Sequence, residues 1–387
     1  MRLDWLSAVC GSAGPFATVV LDVSHNTEDA DHRAEVRRKD VAERLAAQGA
    51  PATVVDRVDG ALTDADPPVG EAARVLVVDE REVLVDVMAQ GPPRSEQVAW
   101  APLPDLFGVV NAVPEQVSTV VVRVDEEGGE LLAPGDAEPE AVTGRTKPVH
   151  KARGGGWSHR SMQARVEETW RQNVAQVATL VDERVRAADA RLLVIVGETR
   201  SRAQLRAALS ERSARIADEV ARSGGEAPTE VAGEVGSRVD LLLAGERRAA
   251  FARYAELAGR AEGLAVTGLA AVVAAARAQA IDTLFIDPAR AVETSIWGSA
   301  EPTVLGLTRA ELTDLGAGEP REVDAVAALI RATTCADAEL VVLDDPAVVL
   351  GHDRLDDGSG SPESAVLGGD TLTDGLGAVL RFPVGSA

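Results

Sequence analysis

Between Lys151 and Arg160 the chain reads Lys-Ala-Arg-Gly-Gly-Gly-Trp-Ser-His-Arg. Three consecutive glycines cost backbone entropy, and such runs stand where unusual dihedrals or a very close approach are needed. Lysine and arginine on both sides suit phosphate groups. Trp157 suits stacking on a base, worth ~1–3 kcal/mol, or insertion into an apolar slot. Ser158 is a suitable N-cap, and the amides of a helix starting there would form an anion-friendly end. The chemistry offered is docking on a phosphate backbone. A purely structural alternative also fits: Trp157 folds back as a hydrophobic staple and the glycines only make a turn.

The charge pattern sharpens this reading. The 387-residue chain carries 39 basic and 62 acidic residues, a net charge of -23, which on average repels nucleic acid. From Thr143 to Arg171, however, seven basic residues face only Glu167 and Glu168, and two of the protein's three lysines, Lys147 and Lys151, lie there. Signatures of other chemistries are missing. There is no G-x-x-x-x-G-K-[ST] phosphate loop and no G-x-S-x-G nucleophile elbow. Gly375-Leu-Gly377 lacks the third glycine of a dinucleotide fingerprint. The five histidines include no H-x-x-x-H pair, and His25 and His32 are seven apart, a weak basis for a metal. Cys10 and Cys335 lie far apart without ligand spacing, so neither a disulfide nor a zinc site is expected.

The elements that must hold the basic segment follow from periodicity. Val166, Trp170, Val174, Val177, Val181 and Val185 recur at helical steps, which predicts one long amphipathic helix over 158–186. Thr119–Asp125 and Leu192–Val196 read as buried strands, with a return strand at 130–133 and a helix from 199 to about 209. Before this block, a strand at 16–21, a charged helix at 27–48 ended by Gly49 and Pro51, and a strand pair at 74–78 and 82–87 are expected. Prolines 92, 93, 102 and 104 predict irregular chain. Residues 223–236 read as a linker and 353–363 as a disordered tip. After the linker come helices at 238–261, 268–278 and 323–333 and strands at 283–286 and 340–343. Strand–helix alternation gives an α/β protein. No apolar run reaches the ~18 residues of a membrane span. With no basic leader and no cysteine framework, a cytoplasmic protein is expected.

Three segments in order resemble the archaeo-eukaryotic release factor and Pelota superfamily. Gly155-Gly156-Trp157-Ser158, followed by an arginine-bearing helix, resembles the Gly-Gly-Gln catalytic loop. Gly263 to Gly268 and Ala280 to Ile286 resemble the opening of the superfamily's C-terminal domain, and Gly375-Leu-Gly-Ala-Val-Leu-Arg-Phe382 its closing strand. The first block resembles only bacterial members, similar to Balon-type ribosome hibernation factors. The resemblance implies three α/β domains: 1–117, 118–243 with a ribonuclease H-like sheet, and 244–387 as an α/β/α sandwich.

It also implies a partner, the ribosome, with contacts to the rRNA of both subunits in the A site. Lys147, Lys151, Arg153, Gly154, Gly155, Gly156, Trp157, Ser158, His159, Arg160 and Arg165 would reach towards the peptidyl transferase centre. His25, Asn26, Arg33 and Arg37 would face the decoding centre. A translational GTPase such as elongation factor Tu is a further implied partner; no cofactor, metal or membrane is. Where release factors carry glutamine, Trp157 has an indole donor and no acceptor, and its bulk fills the place of the attacking water. The expectation is therefore a non-catalytic hibernation or protection factor, active in stress and dormancy. A peptidyl-tRNA hydrolase acting in ribosome rescue and an acidic protein-binding adaptor are the alternatives.

Overall fold

Phe16–Asp22, a run of apolar and β-branched residues, forms an inner strand buried almost along its whole length. The computed structural model describes residues 1–25, 30–63, 70–125, 128–136, 138–143, 158–221, 228–260, 262–291, 294–343 and 372–385; at 30–31, 142–143, 158–171 and 228–230 it describes the backbone alone. The expected tip at 353–363 lies outside the described residues. The chain divides into two compact units. One joins Met1–Glu115 with Glu246–Ala387, and the other is Gln116–Gly245.

In the first block a 3-10 helix, Asp4–Gly11, leads into β1 (Phe16–Asp22). α1 (Ala30–Ala47), α2 (Ala52–Thr63), β2 (Ala72–Val78), β3 (Val83–Gln90), β4 (Gln97–Ala101) and α3 (Leu106–Ala112) follow. The sheet order is β3-β2-β1-β4, antiparallel throughout. α1 and α2 cover one face through Val41, Leu45, Val54 and Val58. The charged helix ends at Ala47, before Gly49 and Pro51 as expected, and Pro51 also opens α2: its carbonyl accepts from the amides of Val54 and Val55, and proline is tolerated at a helix entrance. β4 overturns the expectation of irregular chain, since the prolines only flank it. Its outer rim is covered by Gln48, whose Nε2 donates to the Val98 carbonyl and whose Oε1 accepts from the Trp100 amide.

The central unit contains β5 (Thr119–Val124), β6 (Gly128–Leu132), β7 (Glu140–Thr143), α4 (Ser158–Ala187), β8 (Leu192–Gly197), α5 (Thr199–Ala208), α6 (Glu211–Arg215) and β9 (Ala217–Ala221). Its five-stranded sheet has the order β7-β6-β5-β8-β9. β5, β6 and β7 are antiparallel neighbours, while β5–β8 and β8–β9 are parallel. Counted from β5, the order 3-2-1-4-5 is ribonuclease H-like. α7 (Pro228–Ala258) begins inside the stretch read as a linker, so residues 228–236 are helical; Val231, Val235, Val239 and Leu242 give it an apolar stripe against the sheet.

In the last block come β10 (Ala265–Thr267), α8 (Leu269–Arg277), β11 (Ile281–Ile286), β12 (Ser295–Gly298), β13 (Leu305–Gly306), α9 (Arg309–Asp314), β14 (Arg321–Asp324), α10 (Ala325–Cys335), β15 (Glu339–Val342) and β16 (Leu376–Leu380). The main sheet is β10-β16-β11-β15, and β13-β12-β14 form a small second sheet. α8 and α10 cover one face of the main sheet, while Phe251 and Tyr254 of α7 pack on Phe285 and Val379 of the other. This is an α/β/α sandwich.

The first and last blocks share one core. Leu3, Leu6 and Val9 pack in the same cluster as Leu329, Ala332 and Leu340. Arg331, 2% exposed, donates from Nη2 to the carbonyls of Ser12 and Ala300 and lies 5.7 Å from the Phe16 ring centroid. Contrary to the sequence expectation, Cys10 and Cys335 form a disulfide, with Cα atoms 5.5 Å apart. Ligand-type spacing has no bearing on two cysteines that the fold brings together across 325 residues.

Candidate functional site

The central sheet exists, for the purposes of the site, to hold α4. Val174, Val177, Val181 and Val185 form its buried stripe and meet Val120, Val122, Leu193 and Ile195 of the sheet. Gly129 on β6 permits the close approach: a Cβ there would lie 3.0 Å from the Arg123 carbonyl oxygen and 3.2 Å from a Val177 methyl. Asn173 interrupts the stripe. It is 3% exposed, and its Oδ1 has no donor among the described residues.

α4 begins at Ser158, directly after Gly154-Gly155-Gly156-Trp157. In the sequence the basic Gly-rich segment directly precedes this 30-residue helix, whose N-terminal amides and dipole favour anions. Lys147, Lys151, Arg153, Gly154, Gly155, Gly156 and Trp157 lie outside the described residues. Ser158, His159, Arg160 and Arg165 lie on α4, of which only the backbone is described there.

The second set of expected contacts sits in the first block. His25 makes a bridge to Gly70, its amide donating to the Gly70 carbonyl. Asn26 lies outside the described residues. Arg33 is exposed on α1. Arg37 is turned to its own sheet: its guanidinium lies 3.6 Å from an Asp22 oxygen and 3.7 Å from Glu96. Burial pushes the Asp22 carboxyl up, but the hydroxyl and amide of Ser24, with the charges of Arg37 and Arg33, outweigh it and hold it below its ordinary value. Arg38 likewise pairs with Asp59 at 2.9 Å. Arg37 and Arg38 of α1 thus bind carboxylates of their own block.

Charge is distributed unevenly between the units, a signal that the summed charge hides. Residues 116–245 hold 18 basic and 20 acidic residues; the other unit holds 21 and 42. Nearly all of the net negative charge belongs to the unit without the Gly-rich segment.

The remaining glycine motif serves packing. Gly375 has a φ of +68°, and a Cβ there would lie 2.4 Å from the Ala291 amide nitrogen. A Cβ on Gly377 would lie 2.4 Å from Leu372 and 3.1 Å from Tyr254. β16 pairs antiparallel with β10 and β11, unlike the parallel strand that feeds a dinucleotide-binding turn. In the same unit a cavity of about 610 Å³ is lined by Leu103, Phe107, Ile286 and Val326 with Asp105, Glu322 and Asp324. Asp105 and Asp324 already spend oxygens capping α3 and α10.

The sheet order, the long helix behind the Gly-rich segment and the closing Gly-Leu-Gly strand define a protein of the release factor/Pelota superfamily. Within that class, the family model for bacterial archaeo-eukaryotic release factor family 2 matches residues 118–282, and the chain belongs to this family. Rv2629 of Mycobacterium tuberculosis, an uncharacterized protein, is 30% identical over 409 residues, covering 98% of this chain and 96% of the relative. Among solved structures, Archaeoglobus fulgidus Pelota matches at 16% identity and TM-score 0.34, over 81% of each chain. A ribosome-bound archaeal Pelota matches at 14% identity and TM-score 0.39, over 98% of this chain and 93% of that one.

Proposed function

We propose that the protein is a non-catalytic ribosome-binding factor that occupies the A site of idle or stalled ribosomes in the cytoplasm and protects them during stress or dormancy. The observation that carries this reading is the position of the basic Gly-Gly-Trp segment, directly ahead of the 30-residue helix of a release factor-like central unit. Docking needs cations, glycines and an anion-friendly helix end, and all three stand together there. Ester hydrolysis needs a side chain that positions water, and Trp157 supplies a donor without an acceptor. The acidic unit, repelled by rRNA, orients the molecule so that the basic segment leads. A translational GTPase such as elongation factor Tu is the proposed delivery partner.

Sedimentation of the full chain with vacant 70S ribosomes tests this. Binding is expected, weakening with salt by somewhat under one log unit per phosphate contact per decade. Unchanged binding after Lys151, Arg153 and Arg160 are replaced by Glu would refute the assignment. The same ribosomes charged with labelled peptidyl-tRNA should release no peptide. Release that disappears in Trp157→Ala would establish the hydrolase reading instead.

A further inference from the structure

The cysteine pair is the strongest feature that the proposed function does not use. Cys10 lies in the last turn of the 3-10 helix and Cys335 ends α10, so the bridge ties the first and last blocks of one unit together. Both residues are partly exposed, unlike the core around them. Beside the bridge, other contacts hold the same two blocks. Arg331, one turn before Cys335, reaches the carbonyl of Ser12, two residues after Cys10. The Met1 ammonium donates to the Leu340 carbonyl at 2.6 Å, and the Met1 carbonyl accepts from the Leu340 amide at 3.0 Å. Leu6, Val9, Leu329 and Ala332 share one apolar cluster.

We propose that Cys10–Cys335 is a reversible redox latch between the first and last blocks, set on a junction that stays packed when the bridge opens. A dithiol reductant can reach it. One reductant thiolate attacks a cysteine sulfur, the S–S bond breaks, and a mixed disulfide forms. The second reductant thiol displaces the chain's sulfur, leaving two cysteine thiols and a cyclic oxidised reductant. The chain gains two electrons and two protons. Packing of residues 1–11 on α10 then keeps the two thiols adjacent, and the protein has no third cysteine with which either could mispair. Opening removes a cross-link over 325 residues, which relieves a large constraint on the unfolded chain and loosens the junction without dissolving it.

The test uses the full chain in buffers of graded reduced-to-oxidised dithiothreitol ratio, with thiols counted by a maleimide–polyethylene glycol gel shift. Native protein should pass from no reactive thiol to two, with its circular dichroism retained. Its thermal midpoint should fall by about 5 °C or more, and reoxidation should restore it. Amide exchange should quicken at 5–11 and 329–335 on reduction, while 119–124 and 192–197 stay unchanged. Cys10→Ser should match the reduced wild type and ignore dithiothreitol. Three results overturn the proposal: oxidised protein that already shows two thiols, a bridge that resists reduction until the chain is unfolded, or reduction that unfolds the native chain.

Discussion

The two units solve opposite electrostatic problems. The central unit is close to neutral, 18 basic residues against 20 acidic, and seven of its cations fall between Thr143 and Arg171, just ahead of α4 and in its first half. The unit made from the chain's two ends holds 21 against 42, and its best-buried cation, Arg331, has no carboxylate partner at all among the described residues. Burial pushes the Arg331 guanidinium down to about 10, so it stays charged at neutral pH and relies on two carbonyls and an aromatic face. The difference teaches two ways of burying an arginine: Arg202 of the central unit is matched by the Glu219 carboxylate at 3.0 Å, whereas Arg331 is matched by neutral groups alone. A surface cation is cheap to relocate; a buried one must be matched by an opposite charge or by fixed dipoles.

The sharpest way to break this contrast is Arg331→Ala. It leaves the Ser12 and Ala300 carbonyls without that donor and opens a void beside Phe16, so urea unfolding should lose about 3 kcal/mol, with amide exchange in β5 and β8 unaffected. Next in size, the triple Glu replacement of Lys151, Arg153 and Arg160 should cost about 100-fold in ribosome affinity at physiological salt and leave the melting curve in place. Reversing Arg253 and Arg260, exposed cations of the acidic unit, should change that affinity by less than about threefold. Val181→Ala, at the fully buried centre of the α4 stripe, should destabilise by about 2 kcal/mol and weaken ribosome binding through α4.

A stability change of about 1 kcal/mol is expected from a pH dependence in the acidic unit. Burial pushes Asp79 up, but the Ser12 hydroxyl, the amides of Glu82 and Arg81 and the charge of Arg81 outweigh it, so the carboxyl titrates below its usual 3.8. Its stabilisation is complete above the unfolded value and is lost as pH falls through the lower folded one. Asp79→Asn should flatten the acid limb of the stability profile below about pH 4, by about 1 kcal/mol.

Much of the central unit was legible because its signals are local. A stripe at 174–185 and two valine-rich runs specify a helix over a sheet wherever they occur. The basic segment stood out because seven cations in 29 residues need no partner to be counted. The acidic unit hid its organisation because its determinants are far apart in sequence. Leu6 and Leu329 share a core only after both ends have folded, and periodicity carries no record of that. α2 and β4 are hard to read from sequence because proline marks an element's boundary without saying what lies beyond it: Pro51 opens a helix and Pro102 only follows a strand. Arg37 read as a surface cation because its partner Asp22 lies on a strand and Glu96 beyond two more.

Gln48 carries a consequence for behaviour at high concentration. A strand at the margin of a sheet offers open donors and acceptors that a second molecule can match, which is how edge-to-edge aggregation begins. By spending both ends of its amide on Val98 and Trp100, Gln48 occupies that template with a side chain. The first sheet is thereby kept from growing across molecules, and Gln48→Ala should make concentrated protein self-associate without altering the fold of the isolated chain.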